Sequence, residues 1–247
     1  MLKLDSWLEI AKSAALEGGN YLLQNQGKEL KVLMDSGRDI KLQLDTDTEK
    51  LIKESLSLQS SFSILGEETG LSNNLGEFYW VVDPLDGTSN FLRDIPISCV
   101  SIALMQDVTP ILGVIYDFNH DDLYFGHQNS KAFLNQNEIT VSDYSKKNQS
   151  TLVTGIPAKT HYSDEEFKNM INDFQDWKKV RMIGSAAMAA IYVAAGKAET
   201  YKENGIFLWD IAAGAAIVEA AGGVASITNI QADYRVDAIF TNQHLAN

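Results

Sequence analysis

Residues 79–91, Y-W-V-V-D-P-L-D-G-T-S-N-F, constrain this chain more than any other stretch. They open as an apolar run (Trp80, Val81, Val82) whose valines suit a buried strand. Asp83-Pro84 follows, and proline has no N–H to give a central ladder, so the strand is expected to end at Asp83. Pro84-Leu85-Asp86-Gly87 then turns the chain. Read alone, P-x-D-G is an ordinary turn. Here it also sets Asp83 and Asp86 three residues apart, followed by the Thr88 hydroxyl, the Asn90 amide and Phe91 as an anchor. Two more acidic clusters share that context. Gly66-Glu67-Glu68-Thr69-Gly70 follows the β-like run 62–65, and Trp209-Asp210 heads a long Ala/Gly-rich helix. Acidic groups at the ends of three apolar elements suit a hard divalent cation, which takes oxygen ligands.

Composition narrows the class. The chain has 247 residues, 45% of them hydrophobic and 21% charged, as in a soluble globular protein of one large domain or two intimate ones. A formal net charge of −13 argues against general nucleic-acid binding, which needs a basic face. It leaves room for a small phosphorylated substrate, because bound cations invert the local field. Cys99 is the single cysteine, so no intrachain disulfide forms, which fits a reducing compartment. Its apolar surroundings, residues 99–105, mark a core thiol rather than a nucleophile. No signal peptide and no membrane-spanning stretch is read, so a cytoplasmic protein without membrane contact is expected.

Along the chain, helical spacing covers residues 3–25, with Gly18-Gly19 expected to weaken the second half. Residues 28–44 suggest a strand pair around Asp35-Ser36-Gly37. Thr46-Asp47-Thr48-Glu49 has a capping-box pattern, which places a helix start there with Asp47 in the first turn. On spacing alone, Asp47 reads as a favourable charge at a helix N-terminus. Strands are predicted at 97–105, 111–116 and 123–126, and a hairpin at 131–142. The polar segment 144–150 divides the chain into an α+β half, 1–146, and an α/β half, 147–247. The second half alternates a strand at 151–154, a helix from Ser163, a helix at 184–196 and a strand at 198–202. It closes with a helix at 209–221 ended by Gly222-Gly223 and strands at 224–227 and 236–241. Alone, Asp210 would read as a helix N-cap, and Glu203 as a surface charge after a strand.

Taken together, Gly66-Glu67-Glu68, the run from Asp83 to Phe91, and Trp209-Asp210-Ile211-Ala212-Ala213-Gly214 with Glu219-Ala220-Ala221-Gly222-Gly223 resemble the signatures of the inositol monophosphatase family. The resemblance runs in order from the first helix to near the C-terminus. It implies a layered α-β-α-β-α sandwich, dependence on Mg²⁺, sensitivity to lithium and a homodimer. It further implies that Glu67, Asp83 and the Leu85 carbonyl hold one Mg²⁺, and that Asp83, Asp86 and Asp210 hold a second. A third, looser ion would share Glu67 and Glu68. The implied chemistry is direct hydrolysis of a phosphate monoester by a metal-activated water, oriented by Glu67 and the pair Thr88 and Asp47. Backbone N–H groups of Gly87 and Thr88 would bind phosphate oxygens. Glu203 matches the family position that hydrogen-bonds the inositol ring, and Gly184-Ser185-Ala186 the segment whose backbone lies along the substrate. Asp86 and Asp210 are expected near the substrate as well as the metal. The chain departs from the family pattern after Gly223, where the usual glycine-bearing loop is reduced to Asn229-Ile230-Gln231-Ala232.

The favoured substrate is thus a small polyol phosphate such as myo-inositol monophosphate. Relatives of the same layout hydrolyse fructose 1,6-bisphosphate, 3′-phosphoadenosine 5′-phosphate or histidinol phosphate. Such bisphosphate or nucleotide substrates should need added cations or an aromatic platform, with Lys159, Arg181 and Lys202 as candidates. Arg181 also reads as a structural or dimer-interface cation. The reading from a different class is a protein-interaction role of the same fold.

Overall fold

The computed structural model describes residues 3–36, 39–158 and 160–246. Gly37, which the sequence places in a turn, and Lys159 lie outside the described residues. Helix α1 (Leu4–Asn25) buries Leu4, Leu8, Ala11, Ala14, Ala15, Gly18, Gly19 and Leu22 along one face. The two glycines do not interrupt it. They permit close packing: a Cβ at Gly18 would lie 2.8 Å from Ile52 Cδ1, and one at Gly19 2.4 Å from the Tyr116 ring. The hairpin of β1 (Val32–Ser36) and β2 (Asp39–Leu42) follows, then α2 (Gln43–Gln59). This helix starts three residues before the predicted point, because the Leu42 N–H donates to Asp45 Oδ2 at 2.9 Å. Thr46, Asp47, Thr48 and Glu49 therefore stand inside the helix and form no cap.

The larger sheet contains β3 (Ser63–Gly66), β4 (Gly70–Leu71) and β5 (Phe78–Asp86). After the single turn α3 (Thr88–Phe91) come β6 (Cys99–Gln106), β7 (Thr109–Asp117), β8 (Asp122–His127), β9 (Ala132–Leu134) and β10 (Asn137–Ile139). Its order is β10-β9-β8-β7-β6-β5-β3-β4, with β3 and β5 parallel and the other pairs antiparallel. Strand β5 does not end at Asp83. It carries on through Pro84 and Leu85 with a register shift against β6, where Asp83 faces Ser101 and Asp86 faces Cys99. A bulge is one of the few places where a sheet tolerates proline, and here it lies between the two acids. The interior of β5 is buried on both faces: Tyr79 and Val81 join one core cluster, Trp80 and Val82 the other.

The smaller sheet is built from β11 (Thr151–Thr154), β12 (Lys179–Met182), β13 (Thr200–Phe207), β14 (Val224–Thr228) and β15 (Arg235–Thr241). Between these strands run α4 (Asp164–Phe174), α5 (Ala186–Ala194) and α6 (Leu208–Ala220). The order is β12-β11-β13-β15-β14. Strand β12, K-V-R-M, has no counterpart in the sequence prediction, and as a mostly exposed edge it shows no buried pattern. Helices α5 and α6 lie between the two sheets in one core cluster that draws on both. Helices α1 and α2 cover the far face of the larger sheet, and α4 lies across a cavity from β11 and β13 of the smaller one. This is the layered α-β-α-β-α sandwich.

Small residues allow the central layers to approach. A Cβ at Gly113 of β7 would fall 2.1 Å from the backbone oxygen of Ala213 in α6, and one at Gly214 2.4 Å from Ala190 Cβ in α5. Because the first of these clashes is with backbone, Gly113→Ala is expected to destabilise by roughly 1–3 kcal/mol or more. Denaturant unfolding checks this, and an unchanged midpoint would contradict the packing.

Candidate active site

Three acids converge where β3, β5 and α6 meet. Glu67 directly follows β3, and its N–H donates to Val82 O of the parallel neighbour β5 at 3.1 Å. Asp83 lies on β5 with 1% exposure, and its Oδ1 accepts from the Leu85 N–H at 3.0 Å. Asp210 stands in the first turn of α6, where its carboxylate accepts the Phe207 N–H at 3.2 Å. It stands at the third helical position and satisfies the N–H of the capping residue, Phe207, so it supports the cap without being the N-cap itself. Among the described residues, each of these three acids offers a carboxylate oxygen within 4.8 Å of the others.

Their protonation shows the strain of that arrangement. Burial first, and then the Glu68 charge, push the Glu67 carboxyl up to about 8. Asp83 is raised well above the usual carboxylate range by burial and then by Glu67, Asp86 and Asp210. Asp210 is raised by burial, Glu67, Asp86 and Glu203. Like charges held together out of water favour the neutral acids, and a cation among them reverses that preference. The donor set is oxygen only, which fits a hard divalent ion.

Other expected site residues are placed differently. Asp86 is outside the converging trio. Its Oδ2 accepts from the Ser185 hydroxyl and, at 2.7 Å, from the Ala187 N–H, so it sits on the N-terminus of α5. Burial still raises it to about 6, against the lowering effect of these bonds and of the Ala186 and Gly87 N–H groups. In the segment of Gly184, Ser185 and Ala186, the Ser185 hydroxyl and the first α5 N–H groups hold this carboxylate. A helix N-terminus attracts the nearest anion. Both Glu68 oxygens accept from Lys41 Nζ at 3.0 Å, so Glu68 is ion-paired, although its charge still acts on Glu67. The Leu85 carbonyl accepts from Thr88 Oγ1 at 3.1 Å. Gly87 has φ +91°, and a Cβ there would lie 2.7 Å from Ile97 O.

The early start of α2 also corrects Asp47. At about 100° per residue, two positions separate an inward from an outward side chain. Asp47 is exposed and accepts from Gln43 Nε2 at 3.0 Å. Asp45, at 2% exposure, points inward, and its charge contributes to raising Glu67. Its signal in the sequence is an acid three residues after the last strand residue, Leu42. Asn90 was noted only as an amide near the turn. Its Nδ2 donates to Ile97 O and to Ile183 O, each at 2.8 Å, and so joins the turn after β5 to the segment before α5.

Glu203 is a buried residue and not a surface charge. Burial and then Asp86 raise it to about 8, and its Oε1 lies 2.4 Å from where a Gly155 Cβ would stand. Beside it, under α4, is a cavity of ≈ 290 Å³ bordered by Leu152, Thr154, Gly155, Tyr162 and Lys202. Lys202 Nζ is 3.9 Å from Asp173. Arg181, on the edge strand β12, does not border the cavity, and its guanidinium donates to Val180 O at 3.0 Å. Cys99 is fully buried beside Asp86, and burial pushes its thiol well up, so it is no nucleophile.

A layered sandwich in which the buried Asp83 meets the half-buried Glu67 and Asp210 defines a class of protein with an acid-lined centre suited to a divalent cation. Comparison with known proteins makes the class specific. The sequence matches the inositol monophosphatase family over residues 3–243. It is 38% identical over 220 residues to the Nus factor SuhB of Xylella fastidiosa, covering 87% of this chain and 80% of that protein. It is 36% identical over 234 residues to the inositol-1-monophosphatase of a Synechocystis species, covering 90% and 79%. Among solved structures, the extragenic suppressor protein suhB of Bartonella henselae superposes with a TM-score of 0.85 at 31% identity, covering 96% of this chain and 93% of that one. The chain belongs to the inositol monophosphatase family, and it is a phosphoric monoester hydrolase. No helix among the described residues is long and apolar enough to cross a membrane.

Proposed function

We propose that this enzyme hydrolyses the phosphate monoester of a small polyol, with myo-inositol monophosphate as the reference substrate, and that it depends on Mg²⁺. The observation that carries the reading is the convergence of Glu67, Asp83 and Asp210. Glu67, Asp83 and the Leu85 carbonyl would hold one ion. Asp83 and Asp210 would hold a second, with Asp86 joining them on leaving Ser185 and Ala187. A third ion shared by Glu67 and Glu68 is disfavoured here, because Lys41 already occupies the Glu68 carboxylate. When bound, such ions supply charge neutralisation on the phosphoryl group and an acidified water.

The chain's own groups do the rest. Glu67, Thr88 and Asp45 orient the attacking water, Asp45 taking the part first given to Asp47. Backbone N–H groups of Gly87 and Thr88 bind phosphate oxygens. Glu203 contacts a leaving-group hydroxyl and, while protonated, can donate as well as accept. Among the described residues, the cavity beside it is bordered by two aromatic rings, Tyr162 and Phe174, but by one cation, Lys202. That supports a monophosphate over a nucleotide bisphosphate, which would call for two basic groups.

The test is phosphate release with Mg²⁺ from inositol 1-phosphate, fructose 1,6-bisphosphate, 3′-phosphoadenosine 5′-phosphate and histidinol phosphate, with and without lithium. Preference for inositol 1-phosphate, inhibited by lithium, is the expected result. Preference for any other substrate in the panel replaces the reading. In the same assay, Glu203→Gln should alter substrate preference more than it alters hydrolysis of a generic aryl phosphate. Equal losses on both would count against a ring contact. A homodimer rests on the family resemblance, and light scattering checks it. The Xylella relative carries the name of a Nus factor, which leaves room for a second role as an interaction partner. A stoichiometric partner retained by Asp86→Asn would bear that out.

A further inference from the structure

The capping-box pattern at the start of α2 leaves Glu49 without the role that pattern assigns. In the structure its carboxylate is fully buried and meets the turn at Glu68 and Thr69. Its Oε2 accepts from the Glu68 N–H at 2.7 Å, and its Oε1 from the Thr69 N–H at 3.1 Å and from the Thr69 hydroxyl. Lys53 Nζ, one helical turn on, balances its charge at 3.0 Å and also reaches Gly70 O at 3.2 Å. Gly66 leaves the room: a Cβ there would strike the Glu49 carboxyl carbon at 2.4 Å.

The donors that Glu49 holds belong to the two residues after Glu67. On the other side, Gly66 is fixed in β3 against Val82, and the Glu67 N–H itself donates to Val82 O. The backbone is thus gripped before and after Glu67, from β5 and from α2. A buried i,i+4 ion pair alone would make Glu49 a stability device, and such pairs contribute little net stability. An ion pair alone does not need both carboxylate oxygens on consecutive N–H groups of an acidic turn.

We infer that Glu49 is a positioning residue for Glu67: it fixes the 66–70 turn so that the Glu67 carboxylate meets Asp83 and Asp210 in a geometry ready for a divalent cation. The inference rests on the metal-site reading above. Glu49 does not touch the ion and acts through the backbone of Glu68 and Thr69. Groups that orient metal ligands typically affect metal affinity by about 10–100-fold.

The test is Mn²⁺ binding to the whole protein, read from the electron paramagnetic resonance signal of the free ion, so that no turnover is needed. Glu49→Gln removes the charge and one acceptor. Glu49→Asp keeps the negative charge facing Lys53 but shortens the arm. Leu56→Ala, a fully buried position further along α2, serves as a control that lowers stability without touching the turn. The expected result is Mn²⁺ affinity about 10–100-fold weaker in Glu49→Gln. Glu49→Asp should fall between it and the wild type, and Leu56→Ala should bind like the wild type despite a lower melting temperature. Wild-type affinity in both Glu49 variants overturns the inference, as does an equal loss in Leu56→Ala, which would reduce Glu49 to a stability device. A wild-type protein that binds no Mn²⁺ overturns the metal-site reading itself, and is told apart from those results by the wild-type titration alone.

Discussion

Asp83→Asn is expected to lower kcat by roughly 10³-fold or more while leaving the fold intact. The loss follows from removing the charge of the one acid placed to serve both proposed cations, and each tenfold in rate corresponds to about 1.4 kcal/mol of barrier. The fold should survive because the amide is nearly the same size and keeps an oxygen to accept the Leu85 N–H. Its neighbours on β5 remain packed in both core clusters. Cation-free stability should in fact rise at pH 8, since the substitution removes a carboxyl whose ionisation is opposed by burial and then by Glu67, Asp86 and Asp210. These two changes of opposite sign separate a site residue from a structural one. Steady-state kinetics at saturating Mg²⁺, with melting curves in EDTA, are the measurements. Near-wild-type turnover would remove Asp83 from the metal site, and a lower melting temperature would show that its carboxylate holds the fold.

How far such a site is legible in sequence depends on how local its causes are. The acids at the ends of apolar runs were visible because burial on both faces of β5 leaves an unbroken apolar stretch, and Asp83 follows it directly. The Ala/Gly richness of α6 marked a helix packed closely between other layers, and the close approaches at Gly113 and Gly214 show why. The start of α2 was misplaced because an Asp45 contact to the Leu42 backbone outweighs a good local capping pattern. That shift exchanged Asp47 for Asp45 and hid the inward turn of Glu49. Pro84 suggested the end of a strand, and only the pairing with β6 reveals a bulge. The capture of Asp86 by Ser185 and Ala187 joins residues about a hundred positions apart, and no local pattern carries it. Glu203 looks like a surface charge until β15 pairs with β13 and Gly155 closes over it.

In the cation-free protein, stability is expected to fall as pH rises from about 4.5 to about 8, the reverse of ordinary salt-bridged carboxylates. Glu67 and Glu203 are each raised from 4.5 to about 8 in the folded state, and burial is the largest cause for both. Below the unfolded value both states hold these protons, and their contribution is constant. Between the two values the unfolded chain has released protons that the folded chain keeps, so the folded state binds more and each rise in pH favours unfolding. Above about 8 the folded acids ionise as well and the slope levels off. Cation binding requires ionised ligands and expels their protons, so it should strengthen as pH rises. Mg²⁺ at a hundred times its Kd would add about 2.7 kcal/mol, or roughly 5–10 °C in melting temperature for a chain of this size. The shift at pH 8 should exceed that at pH 6. Part of the slope should persist in Mg²⁺, because Glu203 stands outside the converging trio. Calorimetric melting from pH 5 to 8.5, in EDTA and in Mg²⁺, decides the matter. A flat EDTA profile would mean that the acids are not buried together as ionisable neighbours. A Mg²⁺ shift independent of pH would mean that the ion binds elsewhere than at Glu67, Asp83 and Asp210.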